Sequence, residues 1–304
     1  MMRTARNLLI LFAVFSVEIA YAETQSRVCD ALRIRIEQSP AALEGRLLSE
    51  ALFEAAALDC PGIASDMLSR GASVEARNRF GSTALFVAAG SGSIAVADLL
   101  LVAGSDVNHR SLAKGTPILA AAQQGRRRMV RLLLDAGAVV DAGDKQGVTA
   151  LMAAAYDGDK RLLVTLLKAG ADPNLQDAFG KSPLVYAAGR ANTQVVRELL
   201  AAGASPDITG GNELTPLMWA AGHSNDAPES DGVATVALLL EAGAELSNAD
   251  NRGRTPLMIA ASRGHAQVVT LLLAQGADPG RQDNSGQTAL DIAADEESRD
   301  ALAD

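Results

Sequence analysis

Aromatic side chains are scarce. Phe, Tyr and Trp make up 3% of the 304 residues, so a core of any size must be aliphatic, built chiefly from Ala and Leu. Cysteine is scarcer still: two residues exclude a densely disulfide-stapled scaffold and a four-cysteine zinc site. Positive charge is also short. There are 27 Lys and Arg against 36 Asp and Glu, a net charge of −9, which argues against nucleic acid or an anionic membrane surface as the main partner. No G-x-x-x-x-G-K-[ST] phosphate loop occurs, and Gly90-Ser-Gly92-Ser-Ile-Ala95 imitates a dinucleotide-binding pattern in the wrong context, after a helix signature rather than a strand. His109, His223 and His265 have no second ligand at metal-binding spacing. The carboxylates recur at turn positions (Asp106, Asp172, Asp207, Asp278), where turn chemistry accounts for them. The expectation is a protein that is not an enzyme and takes no cofactor or metal.

Only one stretch is long and apolar. Leu8 to Val17 follows Arg3 and Arg6 and precedes Ala20-Tyr21-Ala22, the small-x-small pattern of a cleaved secretory signal. Ten residues of helix rise about 15 Å against roughly 30 Å of hydrocarbon, too short for an anchor. Residues 1–22 therefore read as a signal peptide cut after Ala22, with the mature chain in the periplasm and not in the membrane. In an oxidising compartment Cys29 and Cys60 read as one disulfide, the alternative being two buried free thiols.

What is abundant is repetition. A hydroxyl residue opens matching segments at Thr83, Thr116, Thr149, Ser182, Thr215, Thr255 and Thr288, spaced 33, 33, 33, 33, 40 and 33. A second marker keeps the same step at Gly71, Gly104, Gly137, Gly170, Gly203, Gly243 and Gly276, one unit earlier. The hydroxyl suits a helix N-cap, and Pro117, Pro183, Pro216 and Pro256 suit the first turn behind it. Five and six residues after the cap every unit has Ala-Ala, small enough for neighbouring helices to stack closely. The Gly ends a second helix marked by Leu-Leu, and a polar stretch leads to the next cap.

These residues resemble the ankyrin repeat: the 33-residue period, T-P-L-x-x-A-A, Leu-Leu near the second helix's end, then G-A-D. Thr255-Pro-Leu-Met-Ile-Ala-Ala with Gly264-His265 carries the likeness most fully. The resemblance implies a mainly α fold, an ankyrin-repeat solenoid of helix-turn-helix units with short β-hairpin loops, and a concave protein-binding face of hairpin tips and first helices. About eight units cover 48–304, the first degenerate and the last truncated, behind an N-terminal helical cap at 23–47 in which Ser39-Pro40 looks like a helix start. Three departures stand out. The family's His in T-P-L-H is replaced by Phe86, Leu119, Met152, Val185, Met218, Met258 and Asp291. Gly115 directly precedes Thr116, so that hairpin tip is expected to be irregular. The 40-residue step inserts seven residues near 224–231, read as an acidic bulge between two helices.

Partner contacts are expected where rings recur. Tyr156, Tyr186 and Trp219 fall on the first helices of three consecutive units, the last two at the same repeat position, and Phe80 and Phe179 sit at hairpin tips. The competing reading packs the ring at that position between helices. Arg126, Arg127 and Arg128, with Arg131, concentrate positive charge at a helix start, either as a partner site or as a solvated outer face. The function expected is a monomeric scaffold that binds a protein partner, an accessory factor for an envelope enzyme. The alternative is an inhibitor or immunity protein that occludes a toxin or enzyme.

Overall fold

In five of the repeats the hydroxyl at the head starts a helix for a local reason. Thr83, Thr149, Ser182, Thr215 and Thr255 hold extended backbone, and each side-chain oxygen accepts from the N–H three residues on, at 3.3–3.4 Å. That bond satisfies one of the orphan donors of a helix's first turn. The computed structural model describes residues 23–38, 45–112, 115–224 and 226–303. The signal-peptide expectation for 1–22 and the Ser39-Pro40 helix start lie outside the described residues.

The chain divides into two compact units, Met1–Ala138 and Val139–Asp304. The first holds helices α1 (23–37), α2 (Arg46–Leu58), α3 (Pro61–Ser69), α4 (Ala84–Ser91), α5 (Ile94–Val102), α6 (Pro117–Gln123) and α7 (Arg127–Asp135). The second holds α8 (Ala150–Tyr156), α9 (Lys160–Lys168), α10 (Pro183–Gly189), α11 (Thr193–Ala201), α12 (Pro216–Ala221), α13 (Glu229–Glu241), α14 (Pro256–Arg263), α15 (Ala266–Ala274) and α16 (Glu296–Ala303). From α2 onward these are seven helix pairs and a final helix. First helices pack on first helices (α2–α4–α6; α8–α10–α12–α14), and second helices on second (α3–α5–α7; α9–α11–α13–α15).

The markers occupy the positions their chemistry requires. The Ala-Ala pairs from Ala88-Ala89 to Ala260-Ala261 are buried, as are Leu100, Leu133, Leu166, Leu199, Leu239 and Leu272 of the second helices. The seven marker glycines all have φ between 86° and 94°, a left-handed backbone that stops the second helix at little steric cost. The hairpins are narrow turns closed by a pair of backbone bonds, such as Asp177 N–H to Lys181 O at 3.1 Å with Gly180 N–H to Asp177 O at 2.9 Å, and Asp250 N–H to Arg254 O at 3.0 Å with Gly253 N–H to Asp250 O at 2.8 Å. Among the described residues none is a strand, and the one bridge, Ser111 to Gly115, marks the irregular third tip.

Losing the family's His does not simply leave apolar packing behind. Phe86, Leu119, Met152, Val185, Met218 and Met258 are buried, and the sulfurs of Met152 and Met258 accept from the Thr149 and Thr255 N–H at 3.5 Å. A thioether is a weak acceptor, but it reaches back to the cap as a polar side chain would. In the last unit Asp291 Oδ2 accepts from both the N–H (2.8 Å) and hydroxyl (2.7 Å) of Thr288, bonds that lower the Asp291 pKa. That unit's first helix is reduced to turns at 289–292, and polar α16 packs on α15 as an end cap.

At the other end Cys29 of α1 and Cys60, just before α3, are joined in a disulfide. Beside it Gln25 donates to the Leu58 and Asp59 carbonyls, Arg35 pairs with Glu54, and Leu32 is buried. The expected bulge near 224–231 needs correcting. Helix α13 is 13 residues long where α11 and α15 are nine, so about half of the insertion forms an extra N-terminal turn rather than loop. The insertion is also tied down on two sides. Ser224 N–H donates to Gly189 O (3.1 Å), Thr193 Oγ1 to Asp231 O (3.1 Å), and Gln267 N–H to Glu229 Oε1 (2.9 Å).

Candidate partner-binding site

Residues one repeat apart stand at equivalent points on stacked helices, so Tyr186 of α10 and Trp219 of α12 share one face. In α10, α12 and α14 the side chain four residues after the cap meets the residue seven after the preceding cap. Trp219 lies over Gly189, where a Cβ would stand 3.1 Å from Trp219 Cε3. Ile259 lies over Gly222 in the same way. Tyr186 meets not a glycine but Tyr156, edge to face, with ring centroids 6.1 Å apart at 83°. Such a pair contributes about 0.5–1.5 kcal/mol beyond its buried area.

Two cations complete the row. Lys181 Nζ stands 4.4 Å from the Trp219 ring centroid and 5.7 Å from that of Tyr186, and the Arg190 guanidinium carbon is 4.7 Å from that of Tyr156. Each such contact is worth about 0.5–1 kcal/mol at an exposed site. The Tyr186 hydroxyl donates to Asp177 Oδ2 at 2.6 Å, while Asp177 Oδ1 accepts from the Phe179 and Lys181 N–H groups at 2.8 and 2.9 Å. Burial first, then the bond to Asp177, pushes the Tyr186 pKa far above its ordinary value, so this ring stays a neutral donor. Burial also raises the Asp157 pKa at the edge of the row, against the opposing pull of Arg190.

The rings differ in how far they are packed away. Tyr186 and Trp219 pack on the preceding repeat and are half-buried, whereas Tyr156 keeps 46% and Phe179, at its hairpin tip, 64% of its surface. The tip is held open by backbone proximity: Gly180 has φ 74°, and a Cβ there would stand 2.7 Å from the Gly210 Cα. Phe80 is half exposed under Arg79 at 4.7 Å and belongs to the first unit. There it lines an open recess of about 720 Å³ with Phe53, Arg46 and Arg77. Arg126, Arg127 and Arg128 belong to the first unit too. Arg126 lies along Gly92 and its Nε donates to Gly90 O at 3.4 Å, while Arg127 and Arg128 are exposed.

The sequence reading missed Lys181, Arg190, Asp177 and the seat at Gly189. The last left a trace, a glycine seven after one cap where the next unit has Trp four after its own. It also missed the meeting of His223 and His265, whose only sequence trace is a Gly-His step at both places. Among the described residues no cluster of three or more His, Cys, Asp or Glu is arranged to hold a metal ion.

A family model described as ankyrin repeats (3 copies) matches residues 96–177, 151–229 and 226–303, more than half of the chain. The chain belongs to the ankyrin-repeat family. Ankyrin repeats are in general protein-interaction scaffolds, and the three rings of the row lie on the first helices of three of these repeats. No curated protein matches this ankyrin-repeat chain. Among the described residues no helix is long and apolar enough to cross a membrane.

Proposed function

We propose that this ankyrin-repeat protein is a non-enzymatic, monomeric scaffold of the bacterial periplasm that grips a polypeptide across the first helices of residues 149–222 and supports an envelope enzyme. The observation that carries the reading is the row itself: Tyr156, Tyr186 and Trp219, on three consecutive repeats, each with a ring face next to Lys181 or Arg190. Tyr, Trp and Arg concentrate interface energy, and half-buried rings bind without losing much rotamer freedom. The Cys29–Cys60 bond is compatible with an oxidising compartment, and the basic, apolar, small-residue order of 1–22 supports export.

A second reading, an inhibitor that occludes a basic toxin or enzyme, is favoured by one feature. Residues 139–304 carry 23 Asp and Glu against 12 Lys and Arg, a field that would steer a cationic partner. Photo-crosslinking side chains placed at 156, 186 and 219 in the intact envelope test both. One shared adduct at these three sites, absent from a control at the exposed second-helix position Arg197, supports the site, and its identity separates enzyme from toxin. Equal labelling at 197 would remove the basis for it.

A further inference from the structure

His223 and His265 lie 42 residues apart in the chain and stack face to face, ring centroids 4.1 Å apart and planes 16° from parallel. Both are buried, at 2% and 7% exposure. His223 Nδ1 faces the Ala220 carbonyl at 3.1 Å, so it carries the proton and leaves Nε2 a bare acceptor, buried with no hydrogen-bond partner among the described residues. His265 Nε2 in turn donates to the His223 carbonyl at 3.3 Å. The extra turn of α13 lies flat on the His223 ring: any side chain at Gly232 would collide with it. The pair therefore fills the space between α12, the inserted turn and the start of α15, and it does so as two neutral rings.

The charged groups facing it are Glu229 and Asp231 on the inserted turn, Arg263 at the end of α14, and Asp295 before α16. Burial lowers the pKa of both histidines, and for His223 the neighbouring His265 adds to the effect. A proton on either ring would be a buried charge stacked on its twin. Once the inserted turn lifts away, water can solvate the imidazolium and Glu229 and Asp231 can pair with it.

We infer that the His223–His265 stack is an acid-released latch: neutral, it clamps the insertion over the repeat that carries Trp219, and protonated, it lets the insertion open. The connection to Trp219 is short. Ser224 donates to Gly189 O, and Gly189 is the floor on which Trp219 rests. As a control on partner binding the latch rests on the function proposed above; as a motion of the free protein it does not.

The direction follows from linkage. A histidine whose folded pKa is lowered stabilises the closed form fully above its ordinary value near 6.5, and that stability is lost as pH falls below it toward the folded value. Within that window the open-to-closed ratio rises up to about tenfold per pH unit for each proton taken up.

Trp219 is the sole tryptophan, so its fluorescence reports on the seat without a partner. The expected result, between about pH 7 and about pH 5, is a red shift of Trp219 emission with faster amide exchange confined to residues 222–232, far-UV circular dichroism staying constant. In His223→Phe and His265→Phe both changes should vanish. A transition that persists in both variants, or none in the wild-type chain, overturns the latch. Should the variants fail to fold, ring-proton NMR of the wild-type protein decides: two histidines titrating independently at the ordinary value would refute the stack. Since all of these are read on the protein alone, a failed partner hypothesis leaves them unaffected.

Discussion

From Glu23 to Ala138 the chain carries 13 Lys and Arg against 12 Asp and Glu, while from Val139 onward it carries 12 against 23. The rings divide similarly. Tyr156, Tyr186 and Trp219 are all in the second unit, and the first has only Phe53, Phe80 and Phe86 over that span. The disulfide belongs to the first unit, the inserted turn and the histidine stack to the second. Yet both units use the same hydroxyl caps, alanine pairs, leucines and left-handed glycines. Side chains that make the repeat stack are thus separable from those that distinguish one unit's surface from the other's, as expected when each repeat draws its stability from itself and its neighbours.

The comparison can be broken in several ways, beginning with the disulfide. Replacing Cys29 and Cys60 together by Ser should cost about 3–4 kcal/mol, given the loop the bond closes. The loss should fall on the first unit, read as an earlier denaturant midpoint there while amide protection from Val139 onward is unchanged. An equal loss in both units would mean they unfold as one body.

Next come two chemically identical substitutions with opposite signs. Gly189→Ala places a methyl against Trp219 and should destabilise by about 1–3 kcal/mol through overpacking, with a shift in Trp219 emission. Gly90→Ala, seven residues after its own cap in the first unit, meets nothing within 4 Å. It should stabilise by about 0.4–1 kcal/mol, because alanine loses less backbone entropy in α4. Thermal unfolding of both variants gives the signs, and equal signs would remove the special seat at Trp219.

Cap removal should not distinguish the units. Thr83→Ala and Thr255→Ala each delete the same N-cap bond and should each cost about 1 kcal/mol by chemical denaturation. The smallest effect is expected at Arg127 and Arg128. Changing both to Gln should leave stability within about 0.5 kcal/mol, since both side chains are exposed. A larger loss would make them structural.

Much of this was legible before any coordinates. Thr149 as a cap, Ala154-Ala155 as a stacking face and Gly170 as a stop each follow from short-range chemistry that a single repeat contains. The Cys29–Cys60 pairing was legible as one of two alternatives. Other features were not. Lys181 sits in a hairpin, where a lysine ordinarily marks solvent, and nothing along the chain says that it reaches the Trp219 ring. The insertion reads as a bulge between helices, yet Pro228-Glu229 is also a sound helix start: proline before it, carboxylates in the first turn. His223 and His265 looked solitary because 42 residues separate them, and only the stacking of consecutive repeats removes that distance.

The linear order of side chains determined the period, the helix starts and stops and the aliphatic core, because each depends on neighbours within one or two turns. Tertiary packing decided which ring rests on which glycine, which cation covers it, and that two distant histidines share one buried space. Those contacts run between repeats, and their partners are chosen by the step from one helix pair to the next rather than by proximity along the chain.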